Sequence, residues 1–137
     1  GCWERYASAT ALIAQTKDEM RHAQDSMMWE LVDNNIDAVN GRTAFDAMRK
    51  GDVAGKRVVD RYIYYVACGI INAINIFQPE IICVGGGIGH EKETLLEPLR
   101  QHVRRERYSM YSSKQTRICS AELGNDAGVI GAALLDH

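Results

Sequence analysis

Proline is scarce in this sequence, with two in 137 residues, and no Pro-rich linker, internal repeat or low-complexity tract divides it. No apolar run approaches the roughly 20 residues needed to cross a bilayer. The opening Gly1-Cys2-Trp3-Glu4-Arg5 is not the charged-then-apolar start of a secretory signal peptide, and a cytoplasmic location is expected. Charge of neither sign is in surplus: 16 Lys and Arg stand against 18 Asp and Glu, a formal net charge of -2. That balance offers no global attraction to nucleic acid or to an anionic membrane. The four cysteines, Cys2, Cys68, Cys83 and Cys119, form no CxxC pair, and three of them sit in apolar periodic segments. They read as reduced core thiols.

What is present is the composition of one globular domain, or one lobe of a larger one: 46% hydrophobic and 25% charged. The chain starts at Gly1, directly ahead of a helical pattern, and is read as a piece of a longer protein. Between Cys2 and Ile13, small and apolar residues recur at helical spacing, and the polar stretch from Gln15 to Asp25 reads as a surface connection. A short helix is expected around Met27 to Val32, ended by Asp33-Asn34-Asn35. After Asn40-Gly41, Thr43 is placed to cap a helix running to Gly51. The clearest pattern spans Asp52 to Phe77. There Val59, Ile63, Val66, Ile70, Ile74 and Phe77 form one stripe, predicting a long helix packed against a sheet.

Pro79 stops that helix, and Glu80 to Val84 reads as a buried parallel strand. Gly85-Gly86-Gly87 follows. A helix is then expected from Glu91 to Arg107, with Leu95, Leu96, Leu99 and Val103 inward, and a second strand from Thr116 to Ala121. Asn125-Asp126 is placed to cap a last helix of small residues. This αβαβα order predicts an α/β layer architecture. Two strands fall short of the ~5 or 6 of a usual sheet, so further strands are expected upstream or from a partner chain.

A strand ending in Gly85-Gly86-Gly87 lets bare backbone approach a flat ring or a phosphate, although a triple glycine also serves as a plain turn. No Gly-Lys-Ser/Thr follows, and His90 and Glu91 stand where a dinucleotide fingerprint needs its third glycine. His90-Glu91-Lys92-Glu93-Thr94 lacks the second histidine of HExxH. The glycines and alanines from Leu123 to Ala133 predict close packing against a neighbouring helix or the glycine turn, with Asp126 as a cap and not a catalytic group. Glu4 lies in a first helical turn, where the dipole explains a carboxylate, yet a carboxylate also accepts well from sugar hydroxyls. Cys2 has no second ligand at metal spacing. Arg104-Arg105-Glu106-Arg107 reads as a solvated helix end, and Tyr62, Tyr64 and Tyr65 as core and interface packing.

Four blocks taken together resemble the ROK family of sugar kinases and related repressors. They are Gly1-Cys2-Trp3-Glu4-Arg5-Tyr6-Ala7-Ser8, Gly51-Asp52 opening the long helix, Phe77 to Gly87, and Leu123 to Ala133. Within that family, Trp29-Glu30-Leu31-Val32, Asn40 to Asp46 and Asp60 to Tyr65 look most like bacterial glucokinases. The likeness spans essentially the whole chain. It implies the actin-like, ribonuclease-H-like two-lobe fold of sugar kinases. Residues 1–137 would be its C-terminal part, with helices on a small, mainly parallel sheet and with the N-terminal lobe and catalytic segment absent.

The resemblance also implies ATP with Mg²⁺ and a hexose, glucose first among them, meeting between the lobes. Gly85, Gly86 and Gly87 would lie beside the adenosine, and Glu4 would hydrogen-bond sugar hydroxyls. Cys2 matches the last cysteine of the family's C-x-C-G-x-x-G-C zinc motif, so it would bind structural zinc only in the full-length protein. No catalytic residue is expected here, since the family's aspartate base belongs to an upstream Asn-Asp motif distinct from Asn125-Asp126. The implied activity is glycolytic: ATP and glucose to ADP and glucose 6-phosphate, by a homodimeric parent, the isolated chain being inactive. The alternative is the sugar-sensing domain of a ROK transcriptional repressor, without membrane contact in either case.

Overall fold

The structure, a computed structural model, describes residues 2–123 and 126–134. The chain divides into two compact units, residues 1–69 and 70–137, and the boundary falls inside one long helix.

The first unit holds α1 (Glu4–Ala7), α2 (Ala9–His22), 3-10 turns at Glu30–Val32 and Ile36–Ala38, α3 (Thr43–Arg49) and the first part of α4 (Val53–Phe77). The single helix expected from Cys2 to Ile13 is broken at Ser8. Ser8 is extended, and its hydroxyl oxygen accepts from the Ala11 amide at 3.1 Å, capping α2. α2 then runs on through Gln15–His22, the stretch read as a surface connection. Leu12, Thr16 and Met20, one turn apart, are fully buried. Thr16 is tolerated there because its hydroxyl donates to the Leu12 carbonyl at 2.7 Å.

The helix expected around Met27 shrinks to the 3-10 turn at Glu30–Val32, which ends where Asp33 and Asn34 take left-handed backbone (φ 50° and 58°). Thr43 opens α3 without capping it. The turn ahead of it is held locally: the Asn40 side chain accepts from the Arg42 amide at 2.9 Å, and Thr43 Oγ1 accepts from the Asn40 amide at 3.1 Å, while the helix start at Arg42 has no side-chain cap. α4 is capped by Asp52, whose carboxylate also holds the loop before Met28. It accepts from the amides of Gly55 (2.5 Å) and Met27 (2.7 Å) and from the Ser26 hydroxyl (3.2 Å).

α3 and α4 meet where neither can yield easily. A Cβ on Gly55 would stand 2.8 Å from Ala47 Cβ and 2.9 Å from the Ala44 carbonyl oxygen. Gly55→Ala is therefore expected to lower stability even though alanine is the better helix former. The propensity gain is about 1 kcal/mol, and overpacking against backbone costs about 1–3 kcal/mol. A urea titration should show a lower midpoint at unchanged slope; a raised midpoint would mean that α3 gives way freely.

The second unit holds the rest of α4, β1 (Ile81–Val84), a 3-10 turn at Gly87–Glu91, α5 (Glu93–Glu106), β2 (Arg117–Ser120) and α6 (Ala127–Ala133). β1 and β2 are parallel, in the register Ile81 with Arg117, Ile82 with Ile118, Cys83 with Cys119 and Val84 with Ser120. Ile70, Ile74, Leu95, Leu96, Leu99, Val103 and Ile118 form the core, an α/β arrangement as the element order predicted. Three expectations fail here. Phe77 ends the apolar stripe but is 78% exposed: it is the last residue of α4, and the chain turns away at Gln78, which is left-handed (φ 44°). β1 is not buried on both faces. It pairs with β2 alone among the described residues, and alternate residues Ile81 and Cys83 are exposed.

The glycines of α6 do not show the close packing expected of them among the described residues. Gly128 and Gly131 face open space, Val129 is exposed, and Asp126 makes no side-chain cap. Asn125 lies outside the described residues. The cysteines are free, as read, but are not core groups: Cys2 and Cys83 are exposed, and Cys68 and Cys119 are half-buried.

Candidate functional site

Because β1 and β2 are parallel, their carboxyl ends point the same way, and a cavity of about 540 Å³ opens there. Its size lies in the ordinary range for small-molecule sites. The walls come from the two strand exits. Gly85 and Gly86 follow β1, while Ala121 and Glu122 follow β2; α5 contributes Glu93, Leu96 and Arg100.

The glycine turn has a conformation that side chains resist. Gly86 sits at φ 73°, ψ -170°, a region that is essentially glycine-only. Gly87 then starts the 3-10 turn, in which the Gly89 amide donates to the Gly86 carbonyl at 3.0 Å. A Cβ on Gly89 would stand 3.1 Å from the Val84 carbonyl oxygen. The Ser120 hydroxyl donates to the Gly89 carbonyl at 3.2 Å, and the Ala121 amide to Val84 at 2.9 Å, so the exit of β2 holds the turn of β1 in place. Arg100 fixes the floor. Its Nε and Nη2 donate to the Ile118 carbonyl at 3.0 and 2.9 Å, and its Nη1 pairs with Glu93 at 2.6 Å.

The sequence reading named Gly85, Gly86 and Gly87. The structure places the first two on the cavity wall and the third in the turn behind it. It missed His90, Lys92, Ser120, Ala121 and Arg100. The signal for Ser120 and Ala121 was available, since adjacent parallel strands share the crevice at their carboxyl ends. Bare backbone at the glycine turn suits a flat ring; the charges around it are mixed, with Lys92 and Arg100 beside Glu93 and Glu122.

Glu4 and Cys2 belong to the first unit. Glu4 is exposed in the first turn of α1, and the residues around it pin that turn to α4. Trp3 Nε1 donates to the Tyr65 carbonyl at 2.7 Å, its indole covers Gly69 where no methyl fits, the Tyr6 and Tyr65 rings lie 5.0 Å apart, and the Tyr62 hydroxyl donates to the Ala7 carbonyl at 2.9 Å. Glu4 is thus an exposed carboxylate on a fixed backbone. Among the described residues no three His, Cys, Asp or Glu side chains come together as metal ligands. Structural zinc takes four, so the residues around Cys2 do not fit a zinc site by themselves.

Residues 1–137 match the model of the ROK family. The chain belongs to the ROK family. It is similar to the glucokinase of Thermotoga maritima, 34% identical over 134 residues, and to that of Halalkalibacterium halodurans, 34% identical over 139. These alignments cover 97% and 98% of this chain but only 41% and 40% of the two relatives. Among solved structures it is similar to a ROK family glucokinase from Streptomyces griseus in complex with glucose and AMPPNP. The TM-score is 0.86 at 30% identity, covering 97% of this chain and 43% of that one. The fold is thus part of the ROK sugar-kinase α/β fold, and the chain spans about two fifths of the length of these relatives.

Proposed function

We propose that this ROK chain is the C-terminal part of an ATP-dependent hexose kinase, a glucokinase forming glucose 6-phosphate and ADP from glucose and ATP. The observation that carries the reading is the glycine-walled cavity at the carboxyl ends of β1 and β2. The likeness to a glucokinase whose structure holds glucose and AMPPNP supports it. In this reading the adenosine of ATP, with Mg²⁺ on its phosphates, lies against Gly85 and Gly86, with Gly87 shaping the turn behind them. Glu4 accepts hydrogen bonds from the hexose hydroxyls, as an exposed carboxylate on a fixed helical turn can. Cys2 becomes a zinc ligand only where a longer protein supplies the remaining donors. The parent works as a homodimer in the cytoplasm, in glycolysis.

No residue of the chain is assigned as the base, because the family resemblance puts that aspartate in an upstream Asn-Asp motif distinct from Asn125-Asp126. Phosphoryl transfer needs an oriented nucleophile, a metal ion and a base acting together, so the chain alone should not phosphorylate glucose. Glucokinase relatives favour this reading over a sugar-responsive repressor.

Calorimetric titration of the chain with AMPPNP tests the nucleotide half. Binding is expected, and Gly86→Val should weaken it by about five- to thirtyfold, since a β-branched residue at positive φ moves the turn at a cost of about 1–2 kcal/mol. Circular dichroism checks that the variant stays folded. Equal affinity for the variant, or no affinity in the parent chain, would sink the assignment.

A further inference from the structure

Cys83 and Cys119 are 36 residues apart in sequence, yet they are register partners on the two parallel strands. Neighbouring strands lie about 4.8 Å apart, which falls inside the Cα separation of about 4.4–6.8 Å that a disulfide spans. The two Sγ atoms already stand 3.5 Å from each other. Cys83 is exposed, while Cys119 is half-buried beside the cavity. An oxidant therefore reaches one thiol, and the other waits within contact distance.

We propose that Cys83 and Cys119 are a dithiol modification site, oxidised by hydrogen peroxide to an intramolecular disulfide across β1 and β2. The Cys83 thiolate attacks one peroxide oxygen, the O–O bond breaks, and hydroxide leaves, taking up a proton as water. Cys83 is then a sulfenic acid. Cys119 attacks its sulfur, the S–S bond forms, and the departing hydroxide takes the Cys119 proton as a second water. In sum, two thiols are oxidised while one peroxide is reduced to two waters. Joining the sulfurs shortens their separation from 3.5 Å to the roughly 2.05 Å of an S–S bond.

The step should depend on pH. The hydrogen bond with Cys119, followed by burial and the Cys119 charge, holds the Cys83 thiol above its ordinary value; Arg117 acts against this and Glu122 with it. The thiolate is the attacking form, so oxidation should speed up as pH rises from 7 to 9.

The test is peroxide treatment of the 137-residue chain, alkylation, and mass spectrometry of a non-reducing digest. The expected product is one cross-linked peptide pair holding Cys83 and Cys119, reversed by dithiothreitol, formed faster at pH 9 than at pH 7, and lost in both Cys83→Ser and Cys119→Ser. Three results would overturn the proposal: both thiols still alkylated after treatment, Cys83 carried to sulfinic or sulfonic acid without a cross-link, or Cys83 joined to a cysteine of another chain. Mapping the unmutated chain keeps the test independent of how the serine variants fold.

Discussion

Asp52→Ala is expected to destabilise the first unit by about 3–4 kcal/mol, the largest effect of any single substitution considered. The carboxylate caps α4 through the Gly55 amide and holds the preceding loop through the Met27 amide and the Ser26 hydroxyl. Losing a cap alone costs about 1 kcal/mol. Hydrogen bonds to a charged group are worth about 1.5–3 kcal/mol each, and donors left unpaired in a buried position carry their own penalty. The three bonds share one side chain and do not add in full, hence the intermediate figure. It is a large fraction of the roughly 5–15 kcal/mol that a domain commands. Trp29 is a convenient reporter, since its indole donates to the Met20 and Ala23 carbonyls near the same loop. Urea unfolding followed by its fluorescence should show the loss, with Asp52→Asn falling between. A change below about 1 kcal/mol would mean that water replaces the carboxylate at little cost.

Tyr62 gives the second large effect, visible only in alkali. Its ring is buried, and burial pushes its hydroxyl from 10.0 up to about 12. The fold thus favours the neutral phenol, and the stabilisation is complete below pH 10, where the unfolded chain is also neutral. Above pH 10 the unfolded chain ionises first, so stability falls until pH 12, by roughly 3 kcal/mol over that gap of about two pH units. Tyr62→Phe loses the hydrogen bond to the Ala7 carbonyl, worth about 1 kcal/mol, but has no phenol to ionise. Chemical denaturation at pH 9 and pH 12 should therefore show the wild type ahead at pH 9 and the phenylalanine variant ahead at pH 12. Parallel losses in both proteins would place the alkaline sensitivity elsewhere.

The fold was legible wherever apolar spacing was unbroken. Leu95, Leu96, Leu99 and Val103 defined α5, and the stripe from Val59 to Ile74 defined α4. Reading failed where one polar residue did structural work. Thr16 hid the continuation of α2, because a buried hydroxyl satisfied by the carbonyl four residues back looks polar in sequence. Ser8 broke a helix by capping the next one, a role that spacing does not mark. The turn was visible as a run of glycines, of which Gly86 takes a backbone that side chains resist, whereas Arg100 joined the cavity only through its reach from α5 to Ile118. The Cys83–Cys119 pair required the strand register, which no local pattern encodes.

Each of the two strands has a single partner among the described residues, and each is four residues long. Two strands are marginal by themselves, and the side of β1 away from β2 presents amides and carbonyls in a row, next to the exposed Ile81. Such a row is a template for any extended segment. An extended segment that paired there would satisfy those amides and carbonyls, with its register set by which of its side chains it could bury.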